Sequence, residues 1–141
     1  MTLADVNVLM YAFRKDAPHH ELSRRWLIQS AQSGQPFGVS TLALAALVRI
    51  TTNARFNGAP STVDDAFRFC DAILSQPACR RLEPGEAHWA IYRRLCGEAR
   101  ISGARTTDAW YAALAVEHDC EFITYDSDFA RFPGLRWRRP T

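Results

Sequence analysis

Lysine is almost missing from this chain of 141 residues: of its 17 basic residues, only Lys15 is not arginine. That excludes two kinds of α/β acid site. A phosphoaspartate receiver and a haloacid-dehalogenase-like phosphotransferase each need a lysine late in the chain to neutralise a phosphoryl group, and Lys15 stands near the start. No GxxxxGK[ST] stretch is present, so there is no P-loop, and no glycine fingerprint follows the first apolar run. No apolar run approaches the roughly 20 residues that would span a bilayer. No basic patch precedes the first apolar stretch, since Asp5 comes first, which argues against a secretory signal and for a cytoplasmic protein. Cys70, Cys79, Cys96 and Cys120 lack the two-residue gap of a zinc knuckle or redox motif, and are expected reduced and mostly buried. His19 and His20 are adjacent, while His88 and His118 stand alone, so no HExxH helix exists.

What remains is an ordinary globular composition, 48% hydrophobic and 23% charged. The length fits a single domain, residues 1–141, that buries about two-thirds of its unfolded surface. The net charge is only +2. Arginine's planar fork suits phosphate, so Arg24-Arg25, Arg80-Arg81, Arg93-Arg94 and the run from Arg136 to Arg139 are candidates for a nucleic-acid surface. A GC-rich genome would enrich arginine equally well.

Short apolar strands alternate with helical stretches along the chain. Thr2 to Ala4 reads as a buried strand running into a helix from Val6 to Phe13. Pro18 suits the first turn of a helix through Gln32, stopped by Gly34. A strand at Phe37 to Val39 precedes a helix from Thr41 to Thr52 that Ser40 can cap. Ser61 or Thr62 caps the next helix, whose Val63, Ala66, Phe67, Cys70, Ile73 and Leu74 share one face. Arg80 to Leu82 is a candidate strand, and a helix follows the Pro84-Gly85 turn. Thr106 or Thr107 caps a helix through His118; Glu121 to Thr124 and Leu135 to Trp137 are the last strands, separated by a short turn or helix from Asp126 to Arg131. Strands separated by helices require crossovers, hence a three-layer α/β domain with a mostly parallel central sheet flanked by helices.

In such a sheet the working crevice lies beyond the carboxyl ends of the strands. Asp5 follows the first strand, Asp126 and Asp128 follow the strand ending at Thr124, and Asp108 lies in the first turn of its helix, where the dipole favours an ionised carboxylate. Each acid also has a plain reading as a cap or turn residue. Asp5 is the hardest to explain that way, set between Leu3 and Val6 with Asn7 able to hold it. Carboxylates converging at one sheet edge repel and need a cation. Hard oxygen ligands of this kind suit Mg²⁺ or Mn²⁺.

These residues resemble a known family. Ala4-Asp5-Val6-Asn7-Val8-Leu9-Met10-Tyr11-Ala12-Phe13 is similar to the opening of a PIN domain. Thr107-Asp108-Ala109 through Ala115 is similar to the family's helix with its third acid, and Phe122 to Phe129 to its strand with the last acids. Phe132-Pro133-Gly134-Leu135 extends the resemblance over essentially the whole chain. Within that family the chain resembles VapC-type toxins, the ribonuclease halves of bacterial toxin–antitoxin pairs.

The resemblance implies a PIN-like fold and Mg²⁺- or Mn²⁺-dependent cutting of RNA, tRNA or rRNA, to halt translation and growth. It implies Asp5, Asp108 and Asp126 as catalytic metal ligands, with Asp128 binding directly or through water. Asn7 and Thr124 are supporting residues, and Thr124 is a candidate to bond a phosphate or a metal water. The implied partners are RNA, a VapB-type antitoxin and a second copy of the chain. Trp110 and Tyr111 either stack a base or pack inside. One departure stands out: Ala46 occupies the place where such toxins usually carry a glutamate, and no acid lies between Glu21 and Asp64. That opens an alternative, a PIN domain that binds RNA or antitoxin without efficient cleavage. A DNA structure-specific nuclease of the same fold would need more acids and more chain.

Overall fold

β1 (Thr2–Ala4), the first strand in the chain, stands at the centre of a five-stranded parallel sheet in a computed structural model that describes residues 1–141. The others are β2 (Phe37–Val39), β3 (Cys79–Arg81), β4 (Glu121–Ile123) and β5 (Trp137–Arg138), in the spatial order β3-β2-β1-β4-β5. Six helices, two to a crossover, link β1 to β4: α1 (Val6–Phe13), α2 (His20–Gln32), α3 (Thr41–Thr51), α4 (Val63–Leu74), α5 (His88–Ala99) and α6 (Thr106–Glu117); a 3₁₀ turn at Ser127–Arg131 leads from β4 to β5. The expected three-layer α/β domain is the one observed.

The strands are short and apolar because neighbours cover both faces. Leu3, Val39, Phe122 and Ile123 are fully buried. α4 is amphipathic, burying Ala66, Cys70 and Ile73, and Thr62 caps it by accepting from the Asp65 N–H at 3.1 Å. α6 buries Ala109 and every residue from Tyr111 to Ala115, and its alanines let α5 and β4 approach closely. Gly38 is required for a different reason: a Cβ there would run into Leu82, lying 2.9 Å from its Cγ and 3.1 Å from the Thr2 carbonyl oxygen.

Several boundaries differ from expectation. Pro18 lies in the turn before α2, which starts at His20 after a left-handed His19 (φ 58°). Ser40 occupies the N-cap position of α3, yet its buried hydroxyl makes no capping bond and has no partner. Neither Thr106 nor Thr107 caps α6, because a 3₁₀ turn at Gly103–Arg105 runs straight into it. The Thr106 hydroxyl instead donates back to the Gly103 carbonyl at 2.7 Å. β3 begins one residue earlier than read, and β5 starts at Trp137 rather than Leu135.

The strand order turns around at β1. From β1 the chain moves outward to β2 and β3, then returns across the sheet to add β4 and β5 on the other side. β1 and β4 therefore flank the switch point, and the register pairs Ala4 with Ile123. The residues just beyond these two strand ends are Asp5 and Thr124.

Candidate active site

Asp5 leaves β1 with extended dihedrals (φ −72°, ψ 158°) and caps α1, its Oδ1 accepting from the Val6 N–H at 2.7 Å. Its own N–H donates to the Ile123 carbonyl at 2.9 Å, which continues the sheet ladder past the strand. Oδ2 accepts from the Thr124 hydroxyl at 2.7 Å and from the Asn7 amide at 3.1 Å. The Thr124 hydroxyl in turn accepts from the Asp126 N–H at 3.0 Å and from Asn7 at 3.2 Å, while Asn7 Oδ1 accepts from the Tyr125 N–H at 3.3 Å. One network thus ties Asp5 to Asp126 across the switch point.

Thr124 has no exposed surface, and its one donor and two acceptor sites are all used. It therefore positions Asp5 and Asp126, and its hydroxyl has no free site for the phosphate or metal water that its second reading would give it. Asn7 behaves as expected, holding the Asp5 carboxylate.

Asp5, Asp108 and Asp126 line one cleft of about 620 Å³, which Ala46, Arg49 and Tyr111 also line. Burial pushes the Asp5 carboxyl up to about 6; the Thr124 and Val6 bonds oppose this, and the charges of Asp108 and Asp126 add to it. Asp108 also lies above its ordinary value, first through burial and then through Asp126. The helix start alone therefore does not keep Asp108 strongly acidic: burial and Asp126 outweigh the dipole, with Arg105 and Arg131 pulling the other way. Tyr111 is pushed up to about 12 by burial and by the Asp5 charge, so it stays a neutral hydroxyl at the cleft wall.

Asp126 accepts from the Asp128 N–H at 2.8 Å, capping the 3₁₀ turn Ser127–Arg131. This turn chemistry coexists with its place in the cleft. Asp128 does not line the cleft: its exposed carboxylate faces Arg105 at 3.5 Å and Arg131 at 3.6 Å. A direct ligand role for Asp128 is not what this arrangement favours. Trp110 packs edge-on against His88, with ring centroids 4.9 Å apart, as the packing reading expected. None of the four arginine-rich stretches lines the cleft, and Arg94, Arg136 and Arg138 pair with Glu98, Asp119 and Glu121.

The donor set fits a hard divalent ion, being all oxygen and short of positive charge. No three His, Cys, Asp or Glu side chains stand close enough together to cage one. Mg²⁺ does not require a cage, since it commonly keeps several waters and takes one or two carboxylates plus substrate phosphate. Asp5 accepts three bonds, leaving one of its roughly four lone-pair directions for such an ion.

The profile of the PIN domain matches residues 2–135. The chain is 43% identical to Ribonuclease VapC25 of Mycobacterium tuberculosis over 140 residues, 99% of both chains. This chain belongs to the PIN domain family. Its similarity within that family is to VapC ribonucleases: Ribonuclease VapC31 of Mycobacterium tuberculosis is 41% identical over 140 residues, again 99% of both chains. Among solved structures, the PIN fold here is similar to VapBC2 from Rickettsia felis bound to a DNA fragment from its promoter. The TM-score is 0.74 at 19% identity, over 98% of this chain and 97% of that one. FitAcB from Neisseria gonorrhoeae gives 0.67 at 19%, covering 99% and 98%.

Within the PIN cleft the sequence reading missed two side chains. From sequence Tyr111 is only a stacking or packing residue, and Arg49 stands outside the arginine stretches that suggest a nucleic-acid surface. Their spacing carried the signal: Arg49 follows Ala46 by three residues and Tyr111 follows Asp108 by three, so each shares a helical face with a residue already singled out.

Proposed function

We propose that this chain is a divalent-metal-dependent endoribonuclease, the toxin of a VapBC-type pair, that cuts tRNA or rRNA to stop translation and growth. The observation that carries the reading is Asp5: a buried carboxylate held at the switch point of the sheet, in a cleft with two further acids and no basic partner in contact. The ribonuclease names of the relatives and the VapBC complexes among the structural neighbours support it.

In this reading Asp5, Asp108 and Asp126 hold Mg²⁺ or Mn²⁺. The ion, when bound, offsets phosphate charge and lowers the pKa of a water. The chain's own residues prepare that site. Thr124 and Asn7 fix the Asp5 carboxylate so that little reorganisation is needed when substrate arrives. Asp5, ionised above about pH 6, accepts the cation; below that it holds a proton instead. Tyr111 and the apolar side chains of Met10, Leu42 and Phe129 narrow the cleft around the acids. Asp128 acts at a remove, by holding Arg105 and Arg131 beside Asp108. A VapB-type antitoxin and a second copy of the chain are the expected protein partners.

A second reading, RNA or antitoxin binding without efficient cutting, is favoured by Ala46 in the cleft and by the lack of a three-ligand cage. Incubating structured RNAs with the protein across Mg²⁺ and Mn²⁺ concentrations, with Asp5→Asn as control, separates the two. Metal-dependent fragments from the natural protein alone support the ribonuclease. RNA that is bound and left whole at every concentration supports the second reading. A short neighbouring reading frame with a DNA-binding amino-terminal half would identify the antitoxin.

A further inference from the structure

We propose that Arg49 clamps the scissile phosphodiester, supplying from α3 the positive charge that a second acid-held ion would otherwise bring to the cleft. This rests on the ribonuclease reading above and names the chemistry by which the site grips its substrate: a phosphodiester oxygen pair, taken by a planar guanidinium.

Three observations carry it. Arg49 is the only lysine or arginine lining the cleft that holds Asp5, Asp108 and Asp126. Its guanidinium has no ion pair and no hydrogen bond, whereas Arg105 and Arg131 nearby are both spent on Asp128. An exposed arginine that shares a cleft with three acids and pairs with none of them keeps its full donor set for an anionic ligand. The third observation is Ala46, three residues earlier on the same helical face. A glutamate at that position would sit at i, i+3 to Arg49 and place a competing negative charge beside it. The methyl group leaves the guanidinium free.

The charges are close enough to matter. At the Tyr111 hydroxyl the Arg49 charge opposes those of Asp5 and Asp108, so all three act on the same small volume. A polyanion entering a cleft of converging carboxylates is repelled unless cations meet it. With one acid fewer, fewer ions can be held, and a fixed guanidinium on a rigid helix takes up part of that task. The competing account is a solvated arginine whose stem merely covers the apolar wall beside Ile50.

The full-length protein carrying Arg49→Ala or Arg49→Lys tests it, with Arg49→Gln as a second uncharged variant and Arg68→Ala on α4 as control. Two measurements are made. Binding of a 2′-O-methyl RNA oligonucleotide in EDTA is followed against salt concentration, and single-turnover cleavage of a structured RNA is followed in Mg²⁺. Loss of one phosphate contact lowers the slope of log K against log salt by about 0.7. The Ala and Gln variants are expected to lose that much slope and to cut on the order of 100-fold more slowly. Lys should keep the slope and regain part of the rate, and Arg68→Ala should match the natural protein. An Ala or Gln variant that cuts at the natural rate, or binds with an undiminished slope, overturns the clamp. If the natural protein binds but cuts no RNA, the parent reading fails, and the EDTA slopes still decide whether Arg49 meets a phosphate.

Discussion

Thr124 and Asp5 stand 119 residues apart in sequence, yet the hydroxyl of one donates to the carboxylate of the other at 2.7 Å in a fully buried contact. That bond does two things at once. It opposes the rise in pKa that burial imposes on Asp5, and it aligns the end of β4 with the end of β1. Thr124→Val keeps the shape but removes the shorter of the two bonds to Asp5 Oδ2 and leaves the Asp126 N–H without an acceptor. The expected loss is about 2–3 kcal/mol in urea unfolding, with Thr124→Ser within about 1 kcal/mol of the natural protein. A Val variant as stable as the natural chain would remove the network from the account of the site.

Asp5→Asn is expected to abolish cutting and, in EDTA, to stabilise the fold in a pH-dependent way. Folding raises the Asp5 pKa from an ordinary 3.8 to about 6, so between those values the folded chain holds a proton that the unfolded chain has lost. Stability therefore falls as pH rises through this window, and the loss is complete above about 6. At about 1.4 kcal/mol per tenfold change, the ionised carboxylate costs the metal-free fold about 3 kcal/mol at pH 7.5. Asparagine avoids that cost but places an amide donor towards Asn7, so the gain is smaller than the full value. The melting temperature of Asp5→Asn relative to the natural protein should climb from pH 4 to pH 7 and then level off. A difference that does not vary with pH contradicts the assignment.

Ala46→Glu is expected to tighten Mn²⁺ or Mg²⁺ binding roughly tenfold, equivalent to about 1.4 kcal/mol. Ala46 does line the acid cleft, so the added carboxylate joins Asp5, Asp108 and Asp126 there. Isothermal titration of both forms measures the change. Equal affinities would mean that the new glutamate turns to Arg49 instead.

Gly38→Ala is expected to destabilise the protein by about 1–3 kcal/mol without altering the cleft. The added methyl group meets the buried Leu82 and the Thr2 carbonyl in the middle of the sheet. A paired Gly38→Ala/Leu82→Ala variant should recover part of the overpacking strain while leaving the Leu82 cavity cost, which denaturant unfolding of the natural protein, both single variants and the pair resolves.

The strands and all six helices were legible because each is a short apolar run or periodic face with punctuation at its ends. Asp5 was legible for the opposite reason, as a charge in an apolar stretch. Thr106 was misread because its capping chemistry is also what a residue needs to bond back into a preceding 3₁₀ turn, and Gly103 reads the same in both cases. Ser40 has the composition of a cap, yet its hydroxyl is buried without one. The dipole argument for Asp108 used a local field, whereas burial and Asp126, both set by tertiary packing, decide its acidity. Arg49 was in plain view, but that it lacks a partner is a fact about distances to side chains far off in sequence.

The central position of β1 has a consequence for when the cleft can exist. Half of its hydrogen-bonding partners, and the acid at 126, belong to the last strands of the chain. At about 5–20 residues per second, the amino-terminal strand waits on the order of ten seconds for them. Until then Asp5 has no Thr124 to hold it and no Asp126 beside it in the cleft. The cleft is in this way a late event of synthesis: its first acid is made early, and the residues that turn that acid into part of a site come more than a hundred residues later.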